Sequence, residues 1–192
     1  MFKKFFVLGA AALTMIATNT LAADASRVRL MVPVQASDAA SYDTTTKPDS
    51  VSASGFSLQY VHSSGVGIGY TSSTLKKTFP SSEEEWPDAT FVDLSYTFGG
   101  EMTGQIAVGM LTGHGTLSAG STSYPLAEKS GSAFGITGGY DFGGFEALLG
   151  YRSETVKIEI EASPGVTYDG SRTLINAAVS YTHLTLPTIY SV

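Results

Sequence analysis

The chain has 192 residues, a formal net charge of −6, 21 glycines, ten tyrosines, ten phenylalanines and no cysteine. The acidic balance disfavours a nucleic-acid partner, which needs a basic face. Without cysteine there is neither a disulfide framework nor a thiolate metal site, so an exported chain of this size must be held by its own packing.

Lys3 and Lys4 form a basic start, Phe5 to Ile16 an apolar stretch broken only by Gly9 and Thr14, and Thr20-Leu21-Ala22 supplies small residues at the cleavage positions. The expectation is a cleaved export signal over residues 1–22, because a membrane anchor needs about 20 apolar residues and this run is shorter. Its loss lowers Lys+Arg from 11 to 9 against 17 Asp+Glu, a net charge of −8.

Beyond the signal, period-2 alternation recurs. Val28, Leu30, Val32 and Val34 alternate with Arg27, Arg29, Met31 and Pro33, and Gln35 to Ser50 then reads as a long polar loop. Phe56, Leu58 and Tyr60 turn through Ser63-Ser64-Gly65 into Val66, Ile68 and Tyr70, a hairpin with a short connection. Lys76 to Asp88 reads as a second long loop. Val92, Leu94, Tyr96 and Phe98 turn at Gly99-Gly100 into Ile106, Val108 and Met110; Gly113 to Lys129 is a third loop. Phe134, Ile136, Tyr140 and Phe142 turn at Gly143-Gly144 into Phe145, Ala147, Leu149 and Tyr151. A fourth loop lies around Glu159 to Gly170, and Ile175, Ala177, Val179 and Tyr181 close a series of eight strands. Val156, Ile158 and Ile160 shift the apolar parity, which predicts a bulge or a strand that leaves the bilayer and packs differently.

Parity alone does not say which face meets water. Three features favour a membrane barrel, with apolar residues outside and polar residues inside. Gly, Ser and Thr dominate the polar face, which suits the crowded interior of eight strands. Tyr60, Tyr96, Phe98, Tyr140, Phe142, Phe145 and Tyr181 gather on the apolar face beside the short turns, as an interfacial girdle requires. Long and short connections alternate strictly, putting every long loop at one end. The fold class expected is all-β, an eight-stranded antiparallel up-and-down transmembrane β-barrel over residues 23–182.

In this architecture, and in its last strand Leu174 to Thr182, the chain resembles the small outer-membrane β-barrel proteins, the OmpA-transmembrane-domain and OmpX-like group. The resemblance covers about residues 26 to 182 and implies a bacterial outer-membrane location and insertion by the barrel-assembly machinery. It also implies lipid and lipopolysaccharide as surroundings. Such chains end their last strand on an aromatic, where this one has His183. Residues 183–192, with Pro187, break the pattern; the segment from Ser180 onward resembles translated sequencing-adapter tails, and the expectation is that the genuine chain ends one residue past Thr182, at an aromatic, or runs into a further domain that was lost.

Few residues offer chemistry. Arg29, Asp93, Glu146, Arg152 and Glu154, with Gln59, Gln105 and Asn176, fall on the polar face and would be enclosed together. Mutual ion pairing into a structural plug is expected, a gated ion path being the sharper reading. His62-Ser63-Ser64 resembles the His-x-Ser pair of outer-membrane lipid A deacylases, but it opens a short turn at the rim away from the outer leaflet. His114 and His183 are isolated, so no metal-ligand spacing exists, and no cofactor is expected. Glu83-Glu84-Glu85-Trp86, in the second long loop and expected to be exposed, is the most distinctive loop element, a candidate contact for divalent cations or a basic extracellular partner. The leading function is a non-enzymatic structural or surface-interaction barrel. A narrow pore or small-solute conduit, a lipid-modifying enzyme and a soluble exported barrel are the alternatives.

Overall fold

The computed structural model describes residues 26–38, 47–112, 116–119, 122–160 and 167–181. The export signal, the centre of the first loop, His114, His183 and the tail lie outside the described residues. Nine strands are described: β1 (Arg27–Asp38), β2 (Ser50–Val61), β3 (Val66–Phe79), β4 (Ser82–Gly99), β5 (Met102–Thr112), β6 (Thr116–Ala119), β7 (Thr122–Asp141), β8 (Phe145–Ile160) and β9 (Thr167–Tyr181). Eight of them pair antiparallel with their neighbours in the ring β1-β2-β3-β4-β5-β7-β8-β9, and β9 pairs back onto β1, so the sheet closes into a barrel. The short β6 sits above the ring between β4 and β7.

Three short connections carry a glycine in the left-handed region: Gly65 (φ 87°), Gly99 (φ 103°) and Gly143 (φ 83°). At Gly99 a Cβ would lie 2.1 Å from the Met102 carbonyl oxygen. Gly99→Ala is therefore expected to destabilise the barrel by at least about 1–2 kcal/mol, the cost of a left-handed residue with a Cβ, seen as a lower urea midpoint in detergent. An unchanged midpoint would mean that the turn reshapes freely.

The long connections differ from expectation. Lys76 to Asp88 is not a loop: β3 runs to Phe79, Pro80-Ser81 turns the chain, and β4 starts at Ser82. The segment from 113 to 129 likewise contains β6 and the first part of β7, while β8 and β9 extend to Ile160 and from Thr167. The backbone ladder continues above the apolar belt. The outward period-2 signal stops there because the outer face of these strands meets water, so apolar residues no longer mark it.

Val156 and Ile158 are not at a bulge. The register of β8 against β9 is unbroken from Phe145 to Glu159, so both side chains point inward like Glu146, Arg152 and Glu154. The interior itself turns apolar at that height. Register shifts occur elsewhere, between Pro33 and Gln35, between Ser73 and Leu75 opposite the stretch containing Pro87, and between Leu126 and Glu128 just after Pro125. Each lies beside a proline, whose missing N–H breaks one rung and makes an extra residue cheap to insert. The β1–β2 ladder ends at Met31↔Ser57; above it β1 is held by β9 and β2 by β3, with Gly55 at φ 133° at the point of parting.

Candidate functional site

Inward positions of all eight ring strands meet in stacked rows. Near the short-turn end, Arg29, Ser180 and Glu146 stand in register across β1, β9 and β8. Arg29 and Glu146 are both fully buried, and Arg29 donates from Nε and Nη2 to the two Glu146 carboxylate oxygens at 3.1 and 3.0 Å, a two-point contact. Thr103 also donates to this carboxylate, and the Arg27 guanidinium approaches it at 3.2 Å. Arg29 Nη1 reaches the Thr97 hydroxyl at 3.0 Å, and Gln105 donates to Thr97 and to Gln59, which itself donates to Ser95.

One layer higher, Arg152 donates to Asp93 at 3.0 Å and to Glu154 at 2.6 Å, and Arg172 takes the other Glu154 oxygen and the Ser73 hydroxyl. Thr71 donates to Asp93. The Arg152 guanidinium also lies 5.0 Å from the centroid of Phe91, a cation–π contact that joins this layer to the next. There Ala89, Phe91, Ala133, Val156 and Ile158 form an apolar cluster, with Trp86 and Leu111 packed against it. At the top Lys77 forms an ion pair with Asp38 and places its ammonium 4.4 Å over the Trp86 ring. Ile158→Val should cost about 0.5–1.5 kcal/mol, the usual loss for one buried methylene, measured as a shift in urea midpoint; no shift would show that the layer is loosely packed.

All five expected interior charges, Arg29, Asp93, Glu146, Arg152 and Glu154, thus lie inside the barrel, in two groups. Asn176 faces the same interior. Arg27, Arg172, Lys77 and Asp38 were not expected as network members. Lys77 and Asp38 fell in segments that read as loops, and Arg172 fell between the fourth loop and the last apolar run. Extending the inward parity along the odd residues 71, 73, 75 and 77, and along the even residues 172, 174 and 176, locates Lys77 and Arg172.

The loop motif is also rearranged. Trp86 is half-buried, not exposed: its indole donates to Glu84 at 3.1 Å, and its ring packs so closely that a Cβ on Gly170 would meet it at 2.5 Å. Glu83, Glu84 and Glu85 pair across the hairpin with Thr78, Lys77 and Lys76. The exposed Lys76 ammonium is 2.7 Å from the Glu83 carboxylate; this hydrogen bond, then the charge, holds its pKa above the ordinary lysine value. The lysine's charge in this contact is therefore intact at neutral pH and is lost as pH rises through that raised value. Among the described residues no three His, Asp or Glu side chains converge as metal ligands. His62 Nδ1 lies 3.0 Å from the Ser64 hydroxyl and accepts the Ser64 backbone N–H at 3.1 Å, so the pair closes its own exposed turn.

The outer wall has the opposite character. Leu30, Val32, Leu58, Ile68, Val92, Leu94, Ile106, Val108, Phe134, Ile136, Leu149 and Val179 are exposed and outward, forming a continuous apolar band. Below it Tyr60, Tyr140, Phe142, Phe145 and Tyr181 are exposed at the short-turn rim, with Tyr140, Phe142 and Phe145 in ring contact. Apolar outside, charged inside and closed, with one aromatic rim by short turns, is the polarity of a barrel that spans the bacterial outer membrane. A water-soluble barrel would place these faces the other way round.

No family model and no curated protein matches the chain. Among solved structures it is similar to the Neisserial surface protein A (NspA), at 12% identity and a TM-score of 0.46, covering 84% of this chain and 99% of that one. It is also similar to the outer membrane protein OprG from Pseudomonas aeruginosa, at 11% identity and a TM-score of 0.44, covering 85% of this chain and 98% of that one.

Proposed function

We propose that this outer-membrane β-barrel is a sealed, non-enzymatic scaffold that meets partners through the strand-built hairpins standing above the bilayer. The observation that carries the reading is the continuous filling of the interior, from the Arg29–Glu146 row through the Arg152–Glu154–Arg172 layer to the apolar cluster around Phe91. Eight strands leave room for side chains and little else, and a hydrated ion would have to displace buried ion pairs to pass. Above the filled interior the β3–β4 hairpin is paired to β2 on one side and, through Glu84 and Glu85, to β6 on the other, and it offers a rigid rim of the kind on which binding surfaces are commonly carried. Lipid and lipopolysaccharide surround the belt in this reading, and an extracellular partner engages the hairpin tips.

Planar-bilayer recording is the first test: the purified protein is expected to give no conductance steps. Steps that change in Arg152→Ala would replace this reading with a narrow pore. The surface role is tested by substituting Asn-Gly for Thr78–Glu83, which keeps a two-residue hairpin turn. Heat-modifiable gel mobility should persist while cell-surface adhesion or phage adsorption that depends on the protein falls; unchanged adhesion and adsorption would remove the role.

A further inference from the structure

The wall of the barrel parts beside β1. From Val32 to Asp38 β1 is held by β9 alone, and from Ser50 to Phe56 β2 is held by β3 alone, so two strand edges face each other across a gap. Gly55 bends β2 toward β3: its φ is 133°, and a Cβ there would lie 2.1 Å from the Ser72 carbonyl oxygen. On the other side Pro33 has no N–H, and the register of β1 shifts between Pro33 and Gln35, which blunts this edge against a further strand. The gap is apolar on both faces. Val32, Val34 and Phe56 are exposed on the outer face, continuing the band that contains Leu30 and Leu58. On the inner face Ala36 and Ala53 stand in register with the buried Leu174 and Leu75, yet remain half-buried at the edge of the gap. Away from the short turns the gap widens into a cleft of about 510 Å³ whose lining turns polar, with Ser37, Asp38, Lys47, Asp49 and Ser50.

Apolar residues open on both faces of a wall mark a place where something apolar sits, and hydrocarbon is the neighbour that the outer face already meets. We propose that the gap between β1 and β2 is a binding slot for one acyl chain of an outer-leaflet lipid, which enters sideways from the bilayer. The chain lies between Val32, Val34 and Phe56 and reaches Ala36 and Ala53, while its ester and headgroup occupy the polar cleft. An apolar body with a few polar groups at one end matches such an amphiphile. A peptide strand or a second barrel would need straight, continuous edges, which Pro33 and Gly55 deny it. The ionic layers of the interior stay filled, so the lipid is held in the wall and not passed through the barrel.

The test is methyl NMR of the full barrel, labelled at its alanine methyls and refolded into nanodiscs of dimyristoyl phosphatidylcholine. Ala147, exposed on the outer face, is the positive control, and Ala133, buried inside, is the negative one. Nuclear Overhauser cross-peaks from the acyl methylene protons are expected at Ala147, Ala36 and Ala53, with none at Ala133. Ala53→Glu puts a carboxylate into the slot; the acyl cross-peak at Ala36 should vanish while that at Ala147 stays. Water cross-peaks in place of acyl ones at Ala36 and Ala53 would overturn the proposal. So would cross-peaks from a second, differently labelled barrel, which would make the gap an interface between copies, or an acyl cross-peak at Ala36 that survives Ala53→Glu. If Ala53→Glu does not refold, the unsubstituted protein decides among the first three outcomes by itself.

Discussion

Glu146→Ala is expected to lower the stability of the folded barrel by about 3–5 kcal/mol, the range for removing one partner of a buried ion pair. The size follows from what is left behind. Arg29, fully buried, loses both carboxylate contacts, Thr103 loses its acceptor, and Arg27 loses its ion-pair partner. Glu146→Gln keeps the shape and one acceptor, so it should be damaging but less so. The double variant Arg29→Met, Glu146→Ala should recover part of the loss, because one of the abandoned charges is gone. Urea titration of the refolded protein in lipid vesicles reads all three. A loss below about 1 kcal/mol for Glu146→Ala would place the row among weak, solvated pairs and would undercut the sealed-scaffold reading.

Leu94→Arg is expected to cost about 2–4 kcal/mol, the penalty for a guanidinium on the lipid face near mid-bilayer. Leu94 is 60% exposed, faces outward and pairs across the ladder with Ile68, also 60% exposed, in the middle of the apolar band. The same substitution on a water-soluble barrel would fall within the small range of ordinary surface changes. The sign and size of this one measurement therefore separate the two environments. A neutral result in vesicles would reject the lipid-facing assignment of the band.

The parts of the molecule that were legible in the sequence are those where lipid imposes a rule. Between Val66 and Tyr70, or Val92 and Phe98, every second residue meets hydrocarbon, so the strand and its facing can be read from residue type. Between Lys76 and Asp88 the outer face meets water, and the Lys–Glu ladder that builds the hairpin looks like loop composition. Trp86 shows the same limit: beside three glutamates it reads as exposed, whereas its position opposite Leu75 and against Gly170 makes it the roof of the apolar layer. Val156 and Ile158 follow the second of their two expected readings, a strand that packs differently above the belt, and not the bulge. Their parity is regular, and only the change from charged to apolar packing inside the barrel gives the appearance of a slip. The ionic interior was legible as a set of residues but not as two groups, because sequence carries parity and not height.

The polar contacts of the interior also bear on how such a chain comes together. Arg29 and Glu146 are 117 residues apart in sequence, Arg172 and Ser73 are 99 apart, and Arg152 and Asp93 are 59 apart. None of these contacts forms between neighbouring strands of a hairpin, and the first requires the two ends of the sheet to have met. Until then the charged face is an open trough that water can solvate, and afterwards it is a neutralised core that hydrocarbon can surround. Ring closure and transfer from water to lipid are thereby tied into one late, cooperative step, with the slow kinetics expected of contacts so distant along the chain.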